Sequence, residues 1–232
     1  MPVFNSAIFL RESIRSVLNQ SFRDFELVAV DDGSSDDSWE ILQSFTNSRR
    51  VKSIRCENNR GAATARNEAV ARSDSEYIAF LDADDIARPH RLRIQVQVLN
   101  RFQRFDAVFG RAAVIHNRDL IPGHRSRLTQ AEIGPMLLFR NCIVHSSVMV
   151  RRKSWLPYEA GFEPAEDYEL WTRLAPFRTF LPLDTLLVDY REHEQGISKR
   201  LPEKMKKAVA AIHRIQLKRL GLPDRVDLPQ QR

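Results

Sequence analysis

The stretch FELVAVDDGSSDDS, residues 25–38, decides the fold. Its first six residues form a compact apolar run, which ends in Asp31 and Asp32 and a loop of glycine and serine. The helical segment SWEILQSF follows, so the stretch predicts a strand, a polar loop and a helix in succession. A short buried strand that leads into a helix is typical of the βαβ units that build parallel sheets.

Strand and helix patterns keep alternating through the first hundred residues. We predict strands at VKSIRC (51–56) and EYIAFLDA (76–83), and helices at GAATARNEAVARS (61–73) and from Pro89 to about Phe102. Short loops join these elements, which favours parallel βαβ units. Ligands of such sheets bind beyond the carboxyl ends of the strands, so we expect the acidic loops to lie along one rim.

The first strand of this pattern is not evident. The chain opens with MPVFN and leads directly into a helix that is predicted to begin just after Asn5. A βαβ protein normally places its first, central strand at this point. We therefore expect either a true start upstream of Met1 or a protein that lacks one core strand.

The pattern becomes mixed from about residue 107. Extended segments are predicted at AVFGRAAVIH (107–116), IVHSSVMVRR (143–152) and TFLPLDTLLVDYREH (179–193), with a helix at AEDYELWTRL (165–174). This half is expected to be built on the same sheet. A lone strand histidine such as His145 is more often structural than catalytic.

The composition excludes several classes of protein. The chain has 232 residues, of which 43% are hydrophobic, so a disordered protein is excluded. The two cysteines form no disulfide framework, which favours a reducing cytosol, and no apolar run approaches the length of a membrane span. The net charge is +6, and basic residues gather from Lys199 to Arg219 in an amphipathic helix. Such a helix either packs on the domain with a solvated basic face or contacts anionic lipid.

The run FLDADD, residues 80–85, suggests a metal site. Asp82 and Asp84 are two apart at a predicted strand end, so both carboxylates could face one cation. Oxygen ligands suit a hard ion such as Mg²⁺ or Mn²⁺. A solvated, aspartate-rich turn is the alternative.

Other polar segments each allow two interpretations. The loop at Asp31 and Asp32 could bind a nucleobase or ribose, or it could cap the helix that follows. Arg60 and Arg66 surround a small-residue helix start that could hold phosphate, but an ordinary alanine-rich helix would look the same. The pair of acids at 166–167 suits the positive end of a helix, and one of them could also serve as a general base.

Six segments in a fixed order resemble the family-2 glycosyltransferases of GT-A fold. They are PVFN (2–5), SVLNQSF (16–22), DFELVAVDDGSSDDS (24–38), NRGAATARNEAV (59–70), YIAFLDADD (77–85) and EDYELW (166–171). The resemblance covers about residues 1–200, is dense over the first hundred and is weak over 103–140. It implies an α/β fold with a mostly parallel sheet flanked by helices and a mixed acceptor-side region.

The resemblance also implies an activity and a set of site residues. An inverting enzyme would move a sugar from a nucleotide-diphosphate sugar, expected to be a UDP-sugar, to a hydroxyl of a glycan or lipid-linked acceptor. Asp167 would be the catalytic base, and Asp84 with Asp82 would bind Mn²⁺ or Mg²⁺. Asp32 would contact the base, usually uracil. The expected donor-binding residues are Pro2, Phe4, Asn5, Asp32, Asn59, Gly61, Arg66, Asp82, Arg191 and His193; the last two, with Tyr190, would close over the diphosphate.

We expect one domain over residues 1–198, with a nucleotide-binding half at 1–102 and an acceptor and catalytic half at 103–198, and a basic helix and tail at 199–232. We expect a cytoplasmic protein that lies peripherally at the inner face of the cell membrane and extends a surface polysaccharide or a lipid-linked glycan. No nucleic-acid partner is expected. A catalytically impaired sugar-nucleotide-binding remnant remains an alternative. Two other classes of protein fit less well. A phosphotransfer receiver domain would be about half this length, and a haloacid-dehalogenase phosphatase would have Thr or Val at position 85, where this chain has Asp.

Overall fold

The computed structural model describes residues 1–116, 119–121, 128–193, 196 and 200–223. The strands in these ranges are β1 (Pro2–Val3), β2 (Leu27–Asp31), β3 (Val51–Arg55), β4 (Tyr77–Ala79), β5 (Ile86–Ala87), β6 (Ala107–His116), β7 (Asp119–Ile121), β8 (Met149–Arg151) and β9 (Phe180–Glu192). The helices are α1 (Ala7–Leu18), α2 (Ser38–Gln43), α3 (Ala62–Ala71), α4 (Arg91–Arg101), α5 (Gln130–Leu137), α6 (Glu166–Leu174) and α7 (Pro202–Arg219). Short 3₁₀ turns occupy His145–Ser147 and Arg152–Ser154.

The strands form two sheets. The first is parallel, in the order β1-β2-β3, as the βαβ pattern predicts. The second has the order β4-β8-β6-β9-β5, with β7 beside β6, and its long β6–β9 pair is parallel while its other pairs are antiparallel. Contrary to the expectation, the second half is therefore not built on the sheet of β1, β2 and β3. The strand predicted at 76–83 contributes β4 to the second sheet, where it pairs antiparallel with β8.

The expectation that no strand precedes the first helix is also wrong. Pro2 and Val3 form a short strand that pairs in parallel with Val30 and Asp31 of β2. The helix then begins at Ala7, with Ser6 as its N-cap, one residue later than predicted. Asn5 has a positive φ of 47°, a conformation that asparagine tolerates better than most residues, and it turns the chain between strand and helix.

The end of β4 differs from the prediction in a way that matters for the site. The strand stops at Ala79, so Asp82 and Asp84 do not lie on it. The buried guanidinium of Arg91 donates to the carbonyl oxygens of Phe80 and Val148, 2.7 and 3.1 Å away, at the point where β4 and β8 separate. Asp82 and Asp84 therefore do not share one face of a strand as predicted, and the three acids stand on a turn.

Helix α7 packs on the same core as the second sheet. Its buried residues Ala208 and Ile212 join an apolar cluster that contains Phe80, Trp171 and Phe180. None of the helices in the described ranges is long and apolar enough to span a bilayer. Residue 199 and residues 224–232 of the predicted basic tail lie outside the described residues, as do 194–195 and 197–198 before it.

Candidate active site

Arg66 joins two acidic segments that are far apart in the chain. From α3, its guanidinium donates to Asp82 Oδ1 at 2.7 Å and to Glu166 Oε1 at 2.6 Å. Burial disfavours its charge, but Asp82, Tyr158 and Glu166 outweigh this and raise the pKa of Arg66 well above its usual value. The turn after β4 and the start of α6 therefore meet at one cation.

The three acids of the FLDADD turn have different partners. Asp82 is bound by Arg66, while Asp84 Oδ2 lies 2.9 Å from His193 Nε2. The carboxylate of Asp85 is fully buried and accepts a hydrogen bond of 3.0 Å from the backbone N–H of Arg191. Asp85 therefore ties the turn to β9 and does not cap α4, whose N-cap is His90.

Their pKa values diverge accordingly. Burial opposes the charge of Asp82, but the neighbouring Arg66 outweighs it and lowers the pKa of Asp82. Burial and the nearby Asp82 raise the pKa of Asp84. Burial, Asp84 and Asp82 together raise the pKa of Asp85 well above its usual value. The turn thus concentrates more negative charge than its own residues neutralise, which is a suitable environment for a cation.

The end of β9 supplies basic groups to this turn. Arg191 Nε donates to the backbone oxygen of Asp84 at 2.9 Å, and its Nη2 donates to Glu12 on α1 at 2.8 Å. The same guanidinium stands over the ring of Phe9, 4.7 Å from its centroid, and the ring of His193 lies 4.6 Å from that of Phe9. Two of the three residues expected to close over the diphosphate, Arg191 and His193, are therefore beside Asp84.

Asp32 joins the loop after β2 to the start of α3. Its buried carboxylate accepts hydrogen bonds from the backbone N–H groups of Arg60, at 3.0 Å to each oxygen, and of Gly61, at 2.8 Å. Gly61 is the N-cap of α3 and has a φ of 91°. These three hydrogen bonds from two backbone N–H groups give Asp32 a structural role. The contact of Asp32 with a nucleobase stays a prediction.

The other expected donor-binding residues stand around the same rim. Pro2 lies in β1, Phe4 is 44% exposed, and Asn59 is exposed just before α3. Asn5 Oδ1 accepts a hydrogen bond of 2.8 Å from the backbone N–H of Ser35, so the loops after β1 and β2 are tied together. The loops after β1 and β2 thus carry exposed polar and aromatic groups, whereas the FLDADD turn follows β4 of the second sheet, so the two acidic loops, contrary to the expectation, do not follow strands of one sheet.

A cavity opens beside this loop. It has a volume of about 400 Å³ and is lined by Gly33, Ser34, Arg55, Cys56 and Glu57. The carboxylate of Asp31 is fully buried next to these residues. Its Oδ1 accepts a hydrogen bond of 3.3 Å from the backbone N–H of Ser34, whereas its Oδ2 lies 3.6 Å from Arg55 Nε and has no hydrogen-bond partner within the described chain.

Asp167 occupies the first turn of α6 and is half-buried. Asn141 Nδ2 donates to its Oδ2 at 2.8 Å, and the backbone N–H of Tyr168 donates to its Oδ1 at 2.7 Å. Burial and the adjacent Glu166 raise the pKa of Asp167 to about 7. A carboxylate with this pKa can accept a proton near neutral pH, so it is suited to general-base catalysis.

His145 has a structural environment. It is buried in a 3₁₀ turn rather than a strand, and its Nε2 lies 2.9 Å from the Tyr158 hydroxyl. Its ring also packs 4.8 Å from that of Phe80 and 5.5 Å from that of Trp171. Burial and the charge of Arg66 lower the pKa of His145 to about 3, so the ring is neutral.

Several side chains at the site lie outside the motifs that predicted it. Asn141 lies just beyond the weakly matching span 103–140, and Glu12 lies on α1 between two of the matching segments, PVFN and SVLNQSF. Ser146 Oγ accepts a hydrogen bond of 3.1 Å from the backbone N–H of Asp82. Only tertiary structure brings these groups to the site, so no short-range signal in the sequence marks them.

The described residues fit a divalent cation in part. Across the described ranges, no group of three or more histidines, cysteines, aspartates or glutamates is arranged to hold an ion. Asp84 and Asp82 nevertheless provide two neighbouring oxygen donors, and burial together with repulsion from Asp82 raises the pKa of Asp84. Magnesium typically takes one or two carboxylates and completes its shell with water and substrate phosphate, so two acids suffice.

Comparison with known proteins gives consistent matches. The model of the family described as "Glycosyl transferase family 2" matches residues 1–157. A UDP-Glc:alpha-D-GlcNAc-diphosphoundecaprenol beta-1,3-glucosyltransferase, WfgD of Escherichia coli, is 31% identical over 172 residues, which are 74% of this chain and 66% of that protein. This chain therefore spans slightly less than two thirds of the length of that relative.

Solved structures share the architecture. S. aureus TarS 1-349 in complex with UDP-GlcNAc matches with a TM-score of 0.73 and 21% identity over 91% of this chain and 63% of that one. The mannosyltransferase PcManGT of Pyrobaculum calidifontis, in complex with GDP-Man and Mn²⁺, matches with a TM-score of 0.70 and 16% identity over 94% of this chain and 62% of that one. These matches confirm the predicted GT-A fold class.

Proposed function

The chain belongs to glycosyl transferase family 2, and we propose that it is an inverting glycosyltransferase that uses a nucleotide-diphosphate sugar. The observation that carries the proposal is that Arg66 forms ion pairs with both Asp82 and Glu166. Arg66 thereby joins the FLDADD turn to the helix start that carries Asp167. A donor-side carboxylate cluster and a carboxylate with a pKa of about 7 then share one site. This is the arrangement that a single displacement at a sugar carbon requires.

The donor is proposed to be a UDP-sugar. The E. coli relative is named for UDP-Glc, and the TarS neighbour holds UDP-GlcNAc, whereas PcManGT holds GDP-Man. The nucleoside would lie at the ends of β1 and β2, where the loop pinned by Asn5 and Ser35 borders a cavity of about 400 Å³. The residues proposed to contact it are Pro2, Phe4, Asn5, Asp32, Asn59, Gly61 and Arg66.

The diphosphate would lie at the FLDADD turn. Asp84 and Asp82 would hold Mn²⁺ or Mg²⁺, and the bound ion would supply Lewis-acid stabilisation of the leaving diphosphate. Both Arg191 and His193 already contact Asp84; the guanidinium of Arg191 would add positive charge next to the same leaving group, and His193 would add a polar contact there. The neighbour with bound Mn²⁺ supports this assignment of the ion.

The reaction would be a single in-line displacement. The acceptor hydroxyl oxygen forms a bond to the anomeric carbon while the bond from that carbon to the diphosphate oxygen breaks. Asp167 takes the hydroxyl proton, and the diphosphate leaves with the electron pair of the broken bond. Because attack and departure occur on opposite faces, the anomeric configuration inverts, and no protein nucleophile is required.

The acceptor is proposed to be a hydroxyl of a glycan or a lipid-linked sugar. The name of the E. coli relative specifies a sugar diphosphate of undecaprenol, which supports a role in building a polysaccharide of the cell envelope. We assign the donor half to residues 1–102, the acceptor half to 103–198 and the basic segment to 199–232.

An anionic membrane is proposed as a partner of α7. Lys207, Arg214 and Lys218 are exposed on the face opposite the buried Ile212, and the exposed Lys204 lies at the edge of that face. Such a basic face attracts anionic lipid headgroups. The protein would then act in the cytoplasm, peripherally at the inner face of the cell membrane, and would have no nucleic-acid partner.

A donor-hydrolysis assay tests the proposed function. The wild type is incubated with a panel of nucleotide sugars and Mn²⁺, and release of nucleoside diphosphate is measured. Asp167→Asn and Asp84→Asn should each lower turnover by about 10²- to 10⁴-fold, the usual range for a general base or an electrostatic group. Asp24→Asn, at an exposed aspartate, is the matched control and should turn over like the wild type.

The same assay separates the alternatives. A catalytically impaired remnant would bind a nucleotide sugar, measured by calorimetry, but would show no turnover above that of Asp167→Asn. The membership in family 2 leaves the receiver and phosphatase interpretations without support.

A further inference from the structure

Asn141 is the side chain that contacts the carboxylate of Asp167 across the site. It lies in the loop between α5 and the 3₁₀ turn at His145–Ser147, and its Nδ2 is 2.8 Å from Asp167 Oδ2. The two residues are 26 positions apart, so this contact depends on how the loop packs beside α6. Asn141 is also exposed, so its side chain borders the space from which an acceptor would approach Asp167.

The amide of Asn141 is held at both ends. Its Oδ1 accepts a hydrogen bond of 3.1 Å from the backbone N–H of Ile143, whose side chain is buried. The oxygen of the amide is therefore committed to a donor, which fixes the Nδ2 hydrogens towards the carboxylate. The loop thus presents a preset hydrogen-bond donor to Asp167.

We infer that Asn141 is a positioning residue that holds the Asp167 carboxylate in the orientation needed to take the acceptor proton. The inference rests on the proposed function, because it assigns a supporting group to the proposed base. A hydrogen bond to a carboxylate stabilises the charged form and restricts rotation of the group. Asp167 Oδ1 already accepts a hydrogen bond from the Tyr168 N–H. The contact from Asn141 to Oδ2 therefore means that both carboxylate oxygens of Asp167 are held.

The charges around Asp167 come from three elements. Glu166 precedes it on α6 and raises its pKa, Arg66 on α3 lowers it, and Asp82 in the turn after β4 raises it further. Tyr158 is also near enough to be affected by the charge of Asp167. Two negative neighbours therefore oppose ionisation, and Asn141 donates a hydrogen bond that favours it.

Two substitutions separate positioning from simple folding support. Asn141→Ala removes both hydrogen bonds. Asn141→Asp keeps the shape and the oxygen that accepts from Ile143, but it loses the donor and places a negative charge against Asp167. A structural role predicts that Asn141→Asp behaves like the wild type, whereas a positioning role predicts that it is the more damaged of the two.

The experiment measures kcat/KM for donor turnover against pH, with thermal melting of each variant. Asn141→Ala should lower kcat about tenfold at pH 7, the size expected for one hydrogen bond to a charged group, and leave the donor KM unchanged. Its activity should rise with pH about one unit later than that of the wild type. Asn141→Asp should shift this rise further, while Gln103→Glu, which adds the same charge at an exposed amide bonded to Asn100, should not.

The outcomes distinguish the inference from its premise. If Asp167→Asn abolishes turnover but Asn141→Asp keeps the wild-type kcat and pH profile, the inference is overturned and the proposed base stands. If Asp167→Asn turns over like the wild type, both are overturned. A later rise with pH in both Asn141 variants, at unchanged melting temperature, is the result that supports positioning.

Discussion

Arg66 donates a 2.6 Å hydrogen bond to Glu166, a residue one hundred positions later in the chain. Both side chains are at least nine-tenths buried, and the same guanidinium holds Asp82. Because the contact joins α3 to α6, it fixes the FLDADD turn relative to the helix start that carries Asp167. The geometry of the proposed reaction therefore depends on one buried cation.

Removal of Arg66 should destabilise the whole protein. Arg66→Ala leaves Glu166 and Asp82 without their cation, and breaking a buried ion pair typically costs roughly 3–5 kcal/mol of unfolding free energy. Chemical denaturation measures this cost. The matched control is Arg72→Ala, which breaks an exposed pair with Glu68 and should cost less than about 1 kcal/mol. Equal costs for the two variants would show that the buried bridge contributes no special stability.

The raised pKa of Asp167 should make the native state less stable as pH rises. The folded protein binds its proton up to about pH 7, whereas an unfolded aspartate releases it near 3.8. Between these values the native state holds more protons than the unfolded state, so stability falls with increasing pH. Asp167→Asn removes this loss and should gain roughly 1–2 kcal/mol at pH 8, after allowance for partial exposure, and nothing at pH 4.

Denaturation of wild type and Asp167→Asn at both pH values checks the sign. Asp24→Asn, at an exposed position, should show no such pH-dependent gain. A gain for Asp167→Asn that is larger at pH 4 than at pH 8 would contradict the raised pKa. A variant that is more stable but inactive is the usual signature of a residue kept for function.

Gly33 should tolerate no side chain. Its φ is +75°, and a Cβ placed there would lie 2.9 Å from the backbone carbon of Asn58. Gly33→Ala combines left-handed strain of about 1–2 kcal/mol with this backbone clash, so a loss of at least about 2 kcal/mol is expected. Gly134→Ala is the control, because its Cβ meets nothing within 4 Å in α5 and should stabilise by about 0.4–1 kcal/mol. Thermal melts of equal midpoint would refute the clash.

The sequence predicted local elements well because their signals are short-range. The β6 segment AVFGRAAVIH and the helix that begins at Glu166 occur where the pattern places them. The errors arise from long-range packing. The strand at β4 was predicted to reach residue 83, but Arg91 takes the Phe80 carbonyl and the chain turns away from β8. Periodicity contains no information on such a partner.

The same distinction applies to the site. The acids at 82, 84 and 167 were predicted from motifs, because each motif is contiguous in the sequence. The groups that position them are distant in sequence: His193 contacts Asp84 from 109 residues away, and Asn141 contacts Asp167 from 26. Pairings of this kind are properties of the folded chain, and one sequence alone does not reveal them.

Removal of divalent metal should abolish donor turnover. A chelator is expected to stop nucleoside diphosphate release, and Mn²⁺ or Mg²⁺ should restore it, because the leaving diphosphate would need a cation at Asp84. Asp84→Asn should show little restoration at any metal concentration that restores the wild type. Asp184→Asn, on β9 and paired with Arg111, is a control that should recover fully. Undiminished turnover in the chelator would rule out the metal.

Charge reversal on α7 should release the protein from anionic vesicles. Lys204, Lys207, Arg214 and Lys218 are exposed, and across the described part of the chain none of them forms an ion pair. Each cation near an anionic surface contributes about 1 kcal/mol. Changing all four to glutamate should therefore lower co-sedimentation with phosphatidylserine-containing vesicles by more than 100-fold, since every 1.4 kcal/mol is tenfold.

Vesicles of neutral lipid and a matched variant control for general effects of charge. Lys52→Glu with Lys153→Glu changes two cations outside α7 and should reduce binding far less than reversal at any two of the four α7 positions. Raised salt should weaken wild-type binding, because exposed charges are screened over about 8 Å at physiological ionic strength. Binding that is equal on neutral and anionic vesicles, or unchanged by the α7 substitutions, would exclude this face as the membrane contact.

Soluble-donor hydrolysis should be unaffected by the α7 changes, because these cations contact none of the proposed catalytic residues.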